Sequence, residues 1–474
     1  MNTYLRHYLI TCLTIGLACL FLIGSIPLNA SASTDASPPA SETNTSTPPA
    51  SSAPGTTAAA PEINTLERAA RRGNAEAAFN LALRYENGNG VARDQAKAVY
   101  WYTKSAEAGF ASAQFNLGIC YDQGDGVALD PAKAAHWYAM AAEQGHAGAQ
   151  YNLALCYENG EGVAADQSKA IHWYTQAAEQ GDSDAQYNLA ICYENGDGVT
   201  ADQEKAVYWY AKAAEQGDRD AQYNLALCYD AGQGVEQNHA TAVHWYRQAA
   251  EQGQTSAQYN LAVSYEDGEG VEKNQERAIY WYTKAAEAGK SAAQYNLALC
   301  YENGDGVDKN PQQAVYWYTK AADQGDSNSM YNLGVLYESE ALGRSDYALA
   351  AAWYRKAAEA GDPEAAFYLA EFYEDGTGVA QNTDEALRWH LIAADQGHAD
   401  AAMRAARLLH ELEEPQAWPK ARLYLALNQL LEPGVRFEVR LLQEALDAKL
   451  DADQIIQAKN QAQTLYDKLR SEAE

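Results

Sequence analysis

A tryptophan returns every 36 residues along most of this chain: Trp101, Trp137, Trp173, Trp209, Trp245, Trp281, Trp317, Trp353 and Trp389, with no insertion or deletion between them. Asn80, Asn116, Asn152, Asn188, Asn224, Asn260, Asn296 and Asn332 keep the same interval, and Tyr368 takes that place in the ninth copy. A unit of this length cannot bury its apolar faces alone, so each copy must stack on its neighbours. The repeat excludes an ordinary globular core and predicts a solenoid.

Within one copy, "GAQYNLALCYENGEGVAADQSKAIHWYTQAAEQG" from Gly148 to Gly181, two helices are legible. Ala149, Leu153, Cys156 and Tyr157 form one apolar stripe of a 3.6-residue period, predicting a first helix from about Ala147 to Glu158. Gly160 and Gly162 then supply the backbone freedom to end it and turn the chain. The second helix has a start signal in every copy: Asp94, Asp130, Asp166, Asp202, Asn238, Asn274, Asn310, Asp346 and Asn382 share one position, suited to an N-cap. Pro131 and Pro311 follow directly, at the first helical position, where a missing N–H costs nothing. The second helix closes on Ala-Ala-x-x-Gly, as at Ala177, Ala178 and Gly181.

With these residues in place, the pattern resembles the Sel-one-like repeat family, a relative of the tetratricopeptide repeats. Its motif, A-x-x-x-L-G-x-x-Y-x-x-G-x-G-V followed by D-x-x-K-A, W-Y and A-A-x-x-G, is matched by "AQYNLALCYENGEGV", "DQSKA", "HWY" and "AAEQG", over Ala77 to Gly397. The resemblance implies an all-α fold, a right-handed α/α superhelical solenoid of 36-residue helix-turn-helix repeats. Two departures stand out. Ala replaces the Gly after Leu in most copies, as at Ala154, while Gly118 and Gly334 keep it; and the eighth copy, "YESEALGRSDYALAAAWY", lacks the G-x-G-V turn, so its loop is expected to deviate.

The flanks follow from the same logic. Arg6 and His7 precede an apolar run from Tyr8 to Leu28 that ends in Ala30-Ser31-Ala32, the small-residue pattern of signal-peptide cleavage. Residues 1–32 read as a signal peptide, with an uncleaved anchor as the alternative given the length of the run. Residues 33–62 are Ser, Thr, Pro and Ala with little to bury and read as a disordered linker. The repeats occupy 63–398, with Leu66–Gly73 as the tail of a capping helix. Residues 399–474 read as a degenerate helix pair followed by two capping helices, with Asp451 and Gln454 placed for a capping box. Similar C-terminal segments in bacterial members of the resembled family imply export, to the periplasm or beyond it.

The chemistry of sites is thin. Cys12 and Cys19 fall in the export segment, while Cys120, Cys156, Cys192, Cys228 and Cys300 share one first-helix position. Neighbouring helices ~8–10 Å apart hold them beyond disulfide reach, so they read as small buried hydrophobes. The cysteine-rich branch of the resembled family pairs two cysteines within a repeat, and this chain has one. His136, His172 and His244 replace Tyr100, Tyr208, Tyr280 and Tyr316 in the slot before the tryptophan and read as alternative fillers rather than metal ligands. The "NGDGV" turns lack the alternating oxygens and terminal Glu of a calcium loop. No nucleophile elbow, phosphate loop, dinucleotide fingerprint or Ser-x-x-Lys occurs. No metal, cofactor or catalytic residue is expected, and the chain does not read as an enzyme.

With 34 Lys and Arg against 64 Asp and Glu, the net charge of −30 argues against nucleic acid and against an anionic membrane surface. What remains is a protein or peptide, with basic residues on the partner. In helical-hairpin solenoids the first helices line the concave side. There Phe115 and Asp122; Tyr151, Leu155 and Glu158; Tyr187 and Glu194; Tyr223 and Asp230; Tyr259 and Glu266; and Tyr295 and Glu302 offer an aromatic and an acid per repeat. The aromatics either face a ligand or pack on the adjacent repeat, and the acids are expected at the exposed rim. The reading is an exported, monomeric protein-binding scaffold or adaptor. A passive spacer and an enzyme acting on envelope material, β-lactam or peptidoglycan, are the alternatives.

Overall fold

The computed structural model describes residues 59–434 and 437–473. The Tyr8–Leu28 run, the Ala30-Ser31-Ala32 ending, Cys12, Cys19 and most of the stretch read as linker lie outside the described residues. The described residues form one compact unit. Among the described residues it is built of helices alone, without a strand, from Ala59–Arg71 to Ala452–Ala473. The nine repeats form an all-α solenoid.

The local signals work as the sequence predicts. In the third repeat the first helix is Ala147–Asn159 and the second Gln167–Glu179. Each of the nine Asp or Asn caps accepts from a backbone N–H in its own first turn: Asp166 Oδ1 takes the amide of Lys169 at 3.1 Å and Asn310 Oδ1 that of Gln313 at 3.1 Å. Each such cap stabilises its helix by roughly 1 kcal/mol. Pro131 and Pro311 open their helices. Gly160 ends the first helix at φ 73°, its N–H returning to the Cys156 carbonyl. Gly162 allows a close approach: a Cβ there would lie 2.0 Å from the Pro131 carbonyl oxygen of the preceding repeat.

The core straddles the repeats. Ala170, Ile171, Tyr174, Ala177 and Ala178 of one second helix pack with Ala154 before them and with Ala185, Leu189 and Cys192 of the next repeat's first helix. Alanines at 0–2% exposure on both helices permit this close packing. Cys120, Cys156, Cys192, Cys228 and Cys300 are buried and unbridged, and burial pushes each thiol up to about 12. They are core residues, as expected.

A polar seam runs through this core. Gln114 Nε2 donates to the Ala106 carbonyl of the previous repeat at 3.1 Å, and Gln144 Nε2 donates to Gln114 Oε1 at 2.7 Å, stitching two consecutive helices to the turn that follows the next one. The same pair recurs as Gln150 with Gln180 and as Gln186 with Gln216. In the sixth repeat Ala288 stands where the second glutamine belongs, and Gln258 Oε1 is left buried without a partner.

The eighth repeat deviates where its glycines are missing. Its first helix stops at Glu338, and Ser339 follows in extended backbone instead of a left-handed glycine. At the start, the helix Ala59–Arg71 takes in the last four residues of the stretch read as linker. Pro61 is no obstacle there, because amides of the first turn have no intrahelical acceptor. At the far end the degenerate pair is Ala399–Glu411 and Trp418–Leu431, followed by Phe437–Asp447 and Ala452–Ala473. Asp451 and Gln454 exchange side-chain-to-backbone hydrogen bonds at 2.8 and 3.1 Å, a complete capping box.

Candidate functional site

The residue directly after each tryptophan organises the first-helix face. Tyr102, Tyr138, Tyr174, Tyr210, Tyr246, Tyr282, Tyr318 and Tyr354 are each at most 1% exposed. A phenol so buried needs a partner for its hydroxyl. It donates to the acid sixteen residues earlier: Tyr174 to Glu158 at 2.6 Å, Tyr210 to Glu194 at 2.5 Å, Tyr318 to Glu302 at 2.7 Å, and Tyr282 to Glu266. Where the acid is the shorter Asp the contact lengthens, to 3.4 Å for Tyr138–Asp122 and 3.1 Å for Tyr246–Asp230. The hydroxyl also accepts from the recurring asparagine of the next repeat, as Asn188 Nδ2 to Tyr174 at 3.3 Å and Asn332 Nδ2 to Tyr318 at 3.1 Å. The asparagine interval read from the sequence is thus a hydrogen-bond ladder.

This corrects the expectation that the acids stand at an exposed rim. Asp122 is exposed, but Glu158, Glu194, Asp230, Glu266 and Glu302 are half-buried. A charge-assisted bond from a fixed phenol compensates the desolvation of a carboxylate. The compensation is partial: burial holds Glu266 and Glu302 above the ordinary carboxylate range, against the lowering effect of the tyrosine bond. Among the described residues no Lys or Arg nitrogen lies within 4.0 Å of these six carboxylates, and Asp230 alone has a histidine at that range, His239 Nδ1 at 2.7 Å.

The predicted aromatics are half-buried and lean on the same tyrosines. Ring centroids are 6.1 Å apart for Phe115–Tyr138, 5.9 Å for Tyr151–Tyr174, Tyr187–Tyr210 and Tyr259–Tyr282, 6.1 Å for Tyr223–Tyr246 and 5.8 Å for Tyr295–Tyr318. Phe115 also stacks on His146 at 4.5 Å. Leu155 is half-buried, and its counterpart Leu227 is 37% exposed. Each repeat therefore brings an aromatic edge, an aliphatic side chain and a carboxylate together from one helix, partly packed and partly open. The slot before the tryptophan is different: Tyr100, Tyr208 and Tyr280 are 53–54% exposed, His136, His172 and His244 are exposed too, and each ring meets its tryptophan edge-on.

The ninth repeat replaces the buried tyrosine by His390, whose Nε2 lies 2.6 Å from Glu374. Arg404, on the first helix after the repeats, reaches Glu371 and Glu374 at 3.3 and 3.4 Å and joins the array to its C-terminal cap.

Comparison with known proteins agrees with this architecture. A family model described as Sel1 repeat matches residues 75–110, 111–146, 147–182, 183–218, 219–254, 255–290, 291–326, 327–362 and 363–398. Among solved structures, the chain is similar to a protective antigen present in uropathogenic Escherichia coli strains that displays an SLR fold: 35% identity, covering 87% of this chain and 88% of that one, with a TM-score of 0.73. It is also similar to a Sel1 repeat protein from Oxalobacter formigenes, at 33% identity over 52% of this chain and 96% of that chain, with a TM-score of 0.45. No curated protein matches.

Proposed function

This chain belongs to the Sel1 repeat family, and from that premise we propose that it is an exported adaptor binding a basic protein segment along its first-helix face. Repeat proteins of this kind generally mediate protein–protein interactions, typically act as scaffolds rather than enzymes, and are often exported bacterial proteins. The observation that carries the finer reading is the row of carboxylates at Asp122, Glu158, Glu194, Asp230, Glu266 and Glu302. Each is oriented by a tyrosine hydroxyl, and none has a Lys or Arg within ion-pair distance among the described residues. Oriented carboxylates that no Lys or Arg contacts directly among the described residues, beside aromatic and aliphatic side chains, suit an extended or helical segment that brings Lys or Arg with apolar anchors. The Tyr8–Leu28 run and the Ala30-Ser31-Ala32 ending support export, with a periplasmic or secreted monomer as the form that meets the partner. The likeness to a protective antigen fits a molecule that works outside the cytoplasm.

The test is affinity capture from envelope extracts with the parent chain and with a Glu158→Gln, Glu194→Gln, Asp230→Asn triple variant. The amides remove charge yet keep an oxygen to accept from Tyr174, Tyr210 and Tyr246. Reversal to Lys would instead set a cation against a buried phenol and confound binding with folding. A partner retained by the parent and lost by the triple variant supports the proposal. Equal retention by both refutes it.

A further inference from the structure

The second helices of the first four repeats carry cations in a repeated arrangement, and the sixth keeps the cation without its carboxylate. In the first four repeats a lysine three residues after the N-cap pairs with the capping aspartate: Lys97–Asp94 at 2.9 Å, Lys133–Asp130 at 3.0 Å, Lys169–Asp166 at 3.3 Å and Lys205–Asp202 at 3.0 Å. Each of these lysines also lies over a tyrosine ring, Tyr85, Tyr121, Tyr157 or Tyr193, at 5.0–5.3 Å from its centroid. Cation and carboxylate cancel at every one of these positions.

In the sixth repeat the cap is Asn274, so the carboxylate is gone, and Arg277 stands in the place of the lysine. Arg277 lies 5.4 Å over the Tyr265 ring, and its Nη1 donates to the phenol oxygen at 2.9 Å. A second guanidinium arrives from the fifth repeat: Arg247 Nη2 donates to the same oxygen at 3.1 Å. The position of Arg247 holds Thr103, Thr175 and Thr319 elsewhere, each bonded only to a carbonyl of its own helix. Among the described residues no carboxylate lies within 4.0 Å of either guanidinium; Glu251, one turn beyond Arg247, and Glu276, beside Arg277, do not pair with them. Two like charges converge on one oxygen in a protein of net charge −30, and neither is in an ion pair among the described residues.

We infer that Arg247 and Arg277, set around the Tyr265 hydroxyl, form a binding site for an oxyanion, a phosphoryl or carboxylate group presented by a ligand. The polar groups that Arg247 and Arg277 present to solvent are donors only, and the planar fork of a guanidinium matches paired anionic oxygens. The chain contains its own counter-example. Between the eighth and ninth repeats Arg355 donates to Tyr373 in the same way, beside a cleft of about 530 Å³. There Glu385 occupies the lysine position, pairs with Arg388 at 3.4 Å and accepts from Trp389 Nε1 at 3.2 Å, so a carboxylate is already in place.

The test is a titration of the full chain, labelled with ¹⁵N at arginine, with inorganic phosphate and separately with acetate, at ionic strength held constant so that screening does not change. The site predicts saturable shifts of two arginine side-chain signals with at least one anion. These are lost in the Arg247→Gln, Arg277→Gln variant and kept in Arg355→Gln. Asn274→Asp restores the capping carboxylate of the first four repeats and keeps both arginines and the helix cap. It is expected to weaken apparent affinity about fivefold, the effect of one exposed ion pair. Saturation by phosphate alone assigns a phosphoryl ligand, and by acetate alone a carboxylate. No saturable shift with either anion overturns the inference, as does a titration unchanged in the double variant or in Asn274→Asp.

Discussion

Gly162 and Gly181 both sit at positive φ, 72° and 94°, yet substituting alanine at each should have different consequences. A side chain at positive φ costs roughly 1–2 kcal/mol at either position. At Gly181 nothing lies within 4 Å of an added Cβ, so that is the whole native-state cost. At Gly162 the Cβ would stand 2.0 Å from the Pro131 oxygen and 2.3 Å from its carbon, and these are backbone atoms of a helix that cannot rotate aside. Relieving such an overlap costs about 1–3 kcal/mol more. Loss of unfolded-chain entropy applies to both substitutions and cancels in the difference. Gly162→Ala should therefore be less stable than Gly181→Ala by about 1–3 kcal/mol, read from paired urea melts followed by tryptophan fluorescence. Amide exchange should quicken mainly in the helix Pro131–Ala142 and the turn that packs on it. Equal destabilisation by the two alanines, or exchange that rises evenly along the array, would refute the claim that this turn locks adjacent repeats.

Three further outcomes follow from the same contacts. Burial raises Glu302 in the folded state, so the stability linked to it is fully present below its unfolded value of 4.5 and is lost as pH rises through the folded value. Glu302→Gln should thus compare more favourably with the parent at pH 7 than at pH 4.5 in urea melts, and an identical difference at both pH values would contradict this. Arg422 is fully buried, its Nε bonded to Asp447 at 2.6 Å, and neither Nη finds a partner among the described residues. Asp447→Ala should destabilise the C-terminal cap by about 3–5 kcal/mol, seen as faster exchange in Trp418–Leu431 while the first seven repeats keep their protection. The thiols of Cys120, Cys156, Cys192, Cys228 and Cys300, pushed up to about 12, should resist iodoacetamide at pH 8 in the native protein and react in urea; native labelling would contradict their burial.

The period, both helices of each repeat, the nine caps and the Asp451–Gln454 box were legible because each rests on residues within a turn or two of one another. The buried cysteines were legible too, since they fall on the apolar stripe of a helix. What escaped depends on longer separations. Tyr174 and Glu158 are 16 residues apart, Gln114 and Gln144 are 30, and no helical period links them. Taken singly, a glutamate or a glutamine reads as surface, and only the packed array shows that a phenol or a second glutamine waits inside to satisfy it. The invariant Trp-Tyr pair in eight repeats and the strict return of Asn were the available clues. For the same reason the acids were legible as a row but not as half-buried groups.

The central claim is that recognition runs along the first helices, and site-specific photo-crosslinking tests it most directly. A crosslinking residue at Leu155 or Leu227, beside the oriented carboxylates, should yield an adduct with a protein partner when the full chain is exposed to envelope extract. The same residue at Tyr208 or Tyr316, on the second helices, should yield none with that partner. Adducts formed only from Tyr208 or Tyr316 would contradict the account and move binding to the opposite set of helices.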